Sequence, residues 1–199
     1  YQRRVRGKMN GEQLYKIIFA GPVNAGKTSI IRKFVLNKFD TDYKPTIGVD
    51  FSLFRYQLDD KQYRLHLWDL SGQDSFVLLS RSYYKDARGC FLVCDASENV
   101  QNLLQNLRKW IAHLKSLISE RQIPVIVLLN KCDLLEQGEK EAVFSQVQNE
   151  VPKDVFVCSA VSGENIFVAM KRMVLQLPTE PVEQLQLIIP CDEAKKSRC

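Results

Sequence analysis

The sequence predicts an α/β domain: a mostly parallel six-stranded sheet with one antiparallel edge strand and helices on both faces. Two observations predict it. Short apolar runs suited to strands alternate with amphipathic stretches suited to helices, the pattern of strand–crossover–strand units. One pair of runs is separated only by Asp59-Asp60-Lys61, which reads as a hairpin and supplies the antiparallel edge.

The elements follow in order. Tyr15–Ala20 is a strand and Ser29–Leu36 a helix. Phe51–Leu58 and Gln62–Trp68 form the hairpin. Gly89–Asp95 is apolar throughout and reads as a buried strand. Val100, Leu103, Leu104, Leu107, Ile111 and Leu114 recur on one helical face. Pro124–Asn130 is a strand, Lys140–Gln148 a helix and Val155–Ser159 the last strand. Ile166, Met170, Met173, Val174 and Leu177 line the final helix. Pro178, Pro181 and Pro190 stop any continuation. The expected organisation is a basic extension over 1–13, one domain over 14–177 and a tail over 178–199. There are no repeats and no low-complexity tract.

Composition narrows the function. A chain of 199 residues is one domain by size and can bury a substantial core. No apolar run reaches the length of a membrane-spanning helix, and no secretory signal is expected. The net charge is +5. Arg3, Arg4, Arg6 and Lys8 carry most of it, which reads as a solvated arm rather than a nucleic-acid footprint. Met9 could be a start, but Asn10 follows it, so no glycine is offered for myristoylation. The six cysteines form no Cys-x-x-Cys pair. Cys90 and Cys94 share a strand and lie about 13 Å apart, too far for a disulfide. With only His66 and His113 to add, a zinc site is not expected, and a reducing compartment fits.

Four motifs carry chemistry. Gly21-Pro22-Val23-Asn24-Ala25-Gly26-Lys27-Thr28 follows the first strand and opens the first helix. That context suits a phosphate-binding loop. Glycines let backbone N–H groups converge on an anion, and the helix N-terminus adds its positive end. Lys27 brings a point charge to β- and γ-phosphates, and the Thr28 hydroxyl can ligate Mg²⁺. The bland alternative is a glycine turn with a solvated lysine. Asn130-Lys131-Cys132-Asp133 closes a buried strand, and ligands of open α/β sheets lie at such strand ends. An ionised Asp133 accepts only, and it matches the adjacent N1–H and 2-amino donors of guanine. Adenine would leave that charge unpaired. Asn130 can tie this loop to the phosphate loop, and the Lys131 stem can lie over the purine. Asp69-Leu70-Ser71-Gly72-Gln73 offers an Asp for a metal-bound water, a bare N–H at Gly72 for the γ-phosphate and a Gln to orient attacking water. Thr46, in Tyr43-Lys44-Pro45-Thr46-Ile47-Gly48, offers a further oxygen for Mg²⁺. Taken alone, the last two motifs read equally as ordinary turns.

In this order the motifs resemble a Ras-superfamily small GTPase, a P-loop NTPase fold, over roughly residues 14–177. Ile47-Gly48-Val49-Asp50-Phe51, Arg64-Leu65-His66-Leu67-Trp68, Gln73-Asp74-Ser75-Phe76 and Tyr83-Tyr84-Lys85-Asp86-Ala87 are similar to Rab signature segments. The resemblance implies a GTP/GDP switch in vesicle traffic that hydrolyses GTP slowly, with Gln73, Lys27 and Thr46 as candidate catalytic residues. Thr28, Thr46 and Asp69 are the candidate Mg²⁺ ligands. The candidate nucleotide contacts are Gly21, Asn24, Ala25, Gly26, Lys27, Thr28, Ser29, Phe39, Thr46, Gly72, Asn130, Lys131, Asp133, Ser159, Ala160 and Val161. Phe39 falls where the family stacks an aromatic on the guanine. Ser159-Ala160 looks like the last base motif, with the Ala160 N–H on the base oxygen and Val161 where Lys is usual. Phe51, Trp68 and Tyr83 fall where Rabs carry an effector-contacting aromatic triad. The bland reading of those rings is core packing.

The resemblance further implies an exchange factor, a GTPase-activating protein and effectors. It implies a monomer that binds no nucleic acid and cycles between cytoplasm and the cytoplasmic face of an intracellular membrane. Cys191 and Cys199 are candidate lipidation sites, although neither a paired C-terminal cysteine motif nor a C-a-a-X box is present. Leu185, Leu187, Ile188 and Ile189 resemble the segment held by a Rab escort or GDI-like protein. Val23 takes a place usually given to a small residue, and its stiff branched side chain suggests slow hydrolysis. Two other readings stay open: a hydrolysis-deficient guanine-nucleotide-binding module, and a non-Rab Ras-type signalling GTPase.

Overall fold

The computed structural model describes residues 14–39, 46–72, 81–118, 123–151 and 154–178. The basic extension, Gln73, Tyr43 to Pro45, and the tail with Cys191 and Cys199 lie outside the described residues. The elements run β1 (Leu14–Ala20), α1 (Lys27–Leu36), β2 (Val49–Leu58), β3 (Lys61–Leu70), α2 (Arg81–Tyr84), β4 (Gly89–Asp95), α3 (Val100–Ile118), β5 (Val125–Asn130), a 3₁₀ turn (Cys132–Leu134), α4 (Gln137–Glu150), β6 (Asp154–Val157) and α5 (Ile166–Gln176).

The six strands lie in the order β2-β3-β1-β4-β5-β6. Among the described residues, only the β2–β3 hairpin pairs antiparallel. The predicted architecture is therefore the observed one. Alternation splits each central strand between two cores. Ile17 and Phe19 of β1 face α1 and α5, with Leu65, Leu67, Phe91, Val93, Ile126 and Leu128. Ile18 and Ala20 face α3 and α4, with Cys90, Leu92, Cys94, Val127 and Leu129. Helices on both faces explain why these strands read as continuous apolar runs. The free cysteines Cys90, Cys94, Cys132 and Cys158 are all buried. Burial pushes the Cys90 and Cys94 thiols up to about 12, so they stay protonated.

Element ends differ from the sequence reading for local reasons. Gly26 at φ 89° caps α1, so the helix opens at Lys27 rather than Ser29. α4 begins three residues early because the Glu139 carboxylate accepts the Glu136 N–H at 2.8 Å. β6 stops at Val157 rather than Ser159, because Cys158 turns its carbonyl to the Cys132 N–H. The short helix α2 was not expected from periodicity. Five strands run parallel and end on one edge of the sheet. That edge collects the residues after Ala20, Leu70, Asp95, Asn130 and Val157.

Candidate functional site

The phosphate loop leaves β1 at Gly21, whose φ is 138° and whose Cβ, if present, would run into the Val93 carbonyl of β4. A side chain is excluded there twice, by conformation and by space. Asn24 sits at φ 62°, a left-handed position that Asn tolerates. The Lys27 ammonium is buried and donates to Gly21 O at 2.9 Å and Pro22 O at 2.7 Å. Burial brings its pKa down to about 8, with Asp69 pulling the other way. Ala25 is buried, Thr28 and Ser29 are half-buried, and Val23 is 47% exposed at the lip.

Three oxygens from separate segments meet beside this loop. The Thr28 hydroxyl donates to Asp69 Oδ2 at 2.5 Å. Thr46 Oγ1 lies 3.0 Å from Thr28 Oγ1 and 3.3 Å from the same carboxylate oxygen. Asp69 is 3% exposed, yet its Oδ1 has no hydrogen-bond partner. Burial pushes its carboxyl above the ordinary range, against the Thr28 hydrogen bond and the Lys27 charge. Two hydroxyls and a buried carboxylate with one bare oxygen form a donor set for a hard divalent cation, and magnesium fits it. Gly72 completes the edge. A Cβ there would strike the Pro22 and Val23 backbone. The Ser71 N–H to Gly48 O bond, 3.0 Å, joins the Thr46 segment to the segment after β3.

The far end of the edge is held by side chains. Asn130 is 2% exposed; its Nδ2 donates to Ala25 O at 2.9 Å and its Oδ1 accepts the Ala160 N–H at 3.0 Å. The resemblance assigns that N–H to a base oxygen; here it is donated to Asn130 Oδ1. Ser159 Oγ donates to Asp133 Oδ1 at 2.5 Å and accepts from the Val161 and Ser162 N–H groups, both at 3.1 Å. Lys131 is left-handed at φ 67°, and its ammonium lies 2.6 Å from Asp95 Oδ2. Cys132 Sγ and Lys140 both reach Glu164 Oε2, at 3.4 and 3.3 Å. Burial raises the Cys132 thiol to about 11. Phe39, just past α1, and Val161 are exposed.

A second feature lies on the outer face of β2 and β3. The Phe51 and Trp68 rings meet edge-on at 4.5 Å, Tyr83 lies 6.4 Å from Trp68, and His66 touches both strand aromatics. Phe51 and Leu53 are more than half exposed. Lys16 of β1 places its ammonium 3.5 Å from the Trp68 ring centroid and donates to Lys85 O at 2.8 Å. Lys16, Asp95 and Glu164 were not singled out from sequence. For Asp95 the signal was available, since a polar residue ends the apolar run of β4 as Asn130 ends that of β5.

The comparisons with known proteins point to one family. The family model described as Ras family matches residues 16–179. The chain is 44% identical over 128 residues to Ras-related protein Rab-32A of Dictyostelium discoideum, covering 62% of this chain and 58% of that protein. It is 33% identical over 177 residues to Ras-related protein Rab-36 of Homo sapiens, covering 86% and 64%. With Ras-related protein Rab-32 of Homo sapiens it shares 40% identity over 126 residues, covering 61% and 55%. The chain thus matches a little over half to just under two thirds of the length of these relatives. From the family match and the six-stranded fold, the chain belongs to the Ras family, and its resemblance within it is to the Rab proteins.

Proposed function

We propose that this chain is a Rab-like guanine-nucleotide switch that binds GTP and GDP with Mg²⁺ and hydrolyses GTP slowly. The observation that carries the reading is the meeting of Thr28, Thr46 and Asp69 oxygens beside the phosphate loop, on the sheet edge that also holds Asp133. Backbone N–H groups of Gly21 to Thr28, with Asn24, Ala25, Gly26 and Ser29 shaping the turn, hold the phosphates. Lys27 leaves its loop carbonyls to reach them. Thr28, Thr46 and Asp69 would hold the metal, which would supply positive charge to the phosphates when bound. Asp133, fixed by Ser159, accepts the guanine donors. Asn130 ties the base loop to the phosphate loop, while Lys131 and Phe39 flank the ring and Ala160 and Val161 close the pocket. Gln73 orients the attacking water.

Hydrolysis is slow in this reading because Val23 stands where water and an activator's arginine must enter. Gly72 packs directly on the Pro22–Val23 backbone. With the γ-phosphate present, Thr46 and Gly72 hold two loops, roughly residues 37–46 and 70–84. Without it those contacts are lost. Phe51, Trp68 and Tyr83 then present the state of the switch to effectors. An exchange factor and an activating protein drive the cycle. The tail, lipidated at Cys199 with Cys191 as the candidate second anchor, tethers the monomer to the cytoplasmic face of an intracellular membrane, and an escort or GDI-like protein withdraws it. No described helix is long and apolar enough to cross a bilayer.

The test starts with the nucleotide extracted from purified protein, followed by single-turnover hydrolysis of the native chain and Val23→Gly. Guanine nucleotide that is released by chelating Mg²⁺, and hydrolysis faster by about 10- to 100-fold in the glycine variant, are expected. Adenine nucleotide, or no retention after loading with GDP, overturns the switch. A glycine variant no faster than the native chain removes Val23 as the brake. Unmodified cysteines, by intact mass on protein from its own cells, exclude the lipid tether.

A further inference from the structure

We propose that Asp95 is a positioning residue for the nucleotide base, acting through Lys131. The inference rests on the guanine-nucleotide reading and names a residue that none of the motifs contains. It begins with register. Asp95 ends β4 and pairs with Asn130, the last residue of β5. The residue after Asn130 therefore emerges beside the Asp95 carboxylate.

Lys131 is that residue, and its backbone is left-handed at φ 67° and ψ 31°. For a residue other than Gly, Asn or Asp this conformation is strained and persists where the surroundings hold it. Two bonds hold it here. Its carbonyl accepts the Leu134 N–H at 3.1 Å. Its ammonium lies 2.6 Å from Asp95 Oδ2, with the lysine side chain 26% exposed and the aspartate 12%. Such a pair is screened far less than one in open solvent.

The carboxylate is itself fixed. Asp95 Oδ1 accepts the Ser97 N–H at 2.9 Å and the Ser97 hydroxyl at 2.6 Å. The Ala96 N–H reaches Asn130 O at 2.8 Å, so the turn after β4 is sewn to the end of β5. Neither partner of the ion pair is free to swing. A lysine left in water samples many rotamers, and ordering it costs conformational entropy. Asp95 imposes that order during folding, so a ligand meeting the Lys131 stem does not incur it again. The stem offers methylenes, which have no preference among base edges. Edge recognition lies elsewhere, at Asp133 and Ser159. Asp95 therefore sets how tightly a purine is held and not which purine.

The experiment uses the full chain with Asp95→Asn, Lys131→Met, and both together. Asp95→Asn keeps the shape and can still accept from Ser97. Lys131→Met keeps a stem without the charge. Dissociation rates and affinities are measured for GDP and for IDP, which lacks the 2-amino group. Each single variant should release both nucleotides about tenfold faster, leave the GDP to IDP ratio unchanged, and lose nothing further in the double variant. Should Asp95→Asn fail to fold, Lys131→Met carries the same expectation alone. Rates within about twofold of the native chain overturn the proposal, as do single effects that multiply in the double variant, or a loss confined to GDP. Failure of the underlying reading looks different: the native chain would hold neither GDP nor IDP.

Discussion

Two buried or half-buried lysines lie on one sheet edge in opposite company. Lys131 at the base end meets a carboxylate, Asp95, whose other oxygen is also bonded. Lys27 at the phosphate end leans on two backbone carbonyls, and the nearby Asp69 keeps one oxygen without a partner. The base end is thus neutralised and cross-linked within the protein. The phosphate end holds charges whose partners are incomplete. Ligand binding should therefore leave the base end much as it is and rearrange the phosphate end. Most of a preorganised site's advantage is collected where side chains need not move.

The largest expected effect tests the base end at its centre. Asp133→Asn replaces an acceptor with a group that also donates, and GDP affinity should fall by about 3 kcal/mol or more, with xanthosine diphosphate gaining. Titration with a fluorescent GDP analogue decides it. Unchanged affinity would mean that this carboxylate does not read the base. Ser159→Ala comes next. It removes the hydroxyl that orients Asp133 and accepts two backbone N–H groups, and affinity should drop by about 1.5–3 kcal/mol with GDP still preferred to ADP. If the variant matches the native chain, the base end is not the preorganised half.

The smallest effect concerns Lys16, a second buried cation held by a carbonyl. Burial lowers its pKa to about 8, with Asp86 opposing. Unfolded, a lysine titrates near 10.4. Between those values the unfolded chain binds the extra proton, so this side chain makes stability rise with pH across the window. Lys16→Met should flatten the rise in stability between pH 7 and pH 10 in denaturant melts. In a Trp110→Phe background, Trp68 fluorescence should titrate near pH 8 as the ammonium over its ring is lost. A midpoint near 10 would show that a carbonyl-held cation is no worse off than one in water.

The strand–helix alternation was legible because both faces of the sheet are covered, which makes its strands read as plain apolar runs. The hairpin was legible because two acidic residues and a lysine interrupt such runs briefly. What sequence could not give was lateral contact. Asp95 and Lys131 lie far apart along the chain and meet only through the β4–β5 register. Glu164 reaches Cys132 and Lys140 across a loop whose shape depends on Gly163 at φ 89°. Helix α2, only four residues long, has too few turns to show a period. The Asn130 to Ala160 bond joins the ends of two neighbouring strands and is another lateral contact of this kind.

Strand β3 carries Trp68 and Asp69 side by side, and alternation sends them to opposite faces of the sheet. One faces the aromatic patch and the other the oxygen cluster, with a single peptide unit between. The strand works as a partition with a fixed count: even positions write on one side and odd positions on the other. A one-residue insertion ahead of Trp68, kept in strand geometry, would trade the two sides, putting a carboxylate among exposed rings and an indole among hydroxyls. The proximity of sensing and signalling in this fold therefore comes at a strict numerical condition, and drift in the length of β3 is closed to it.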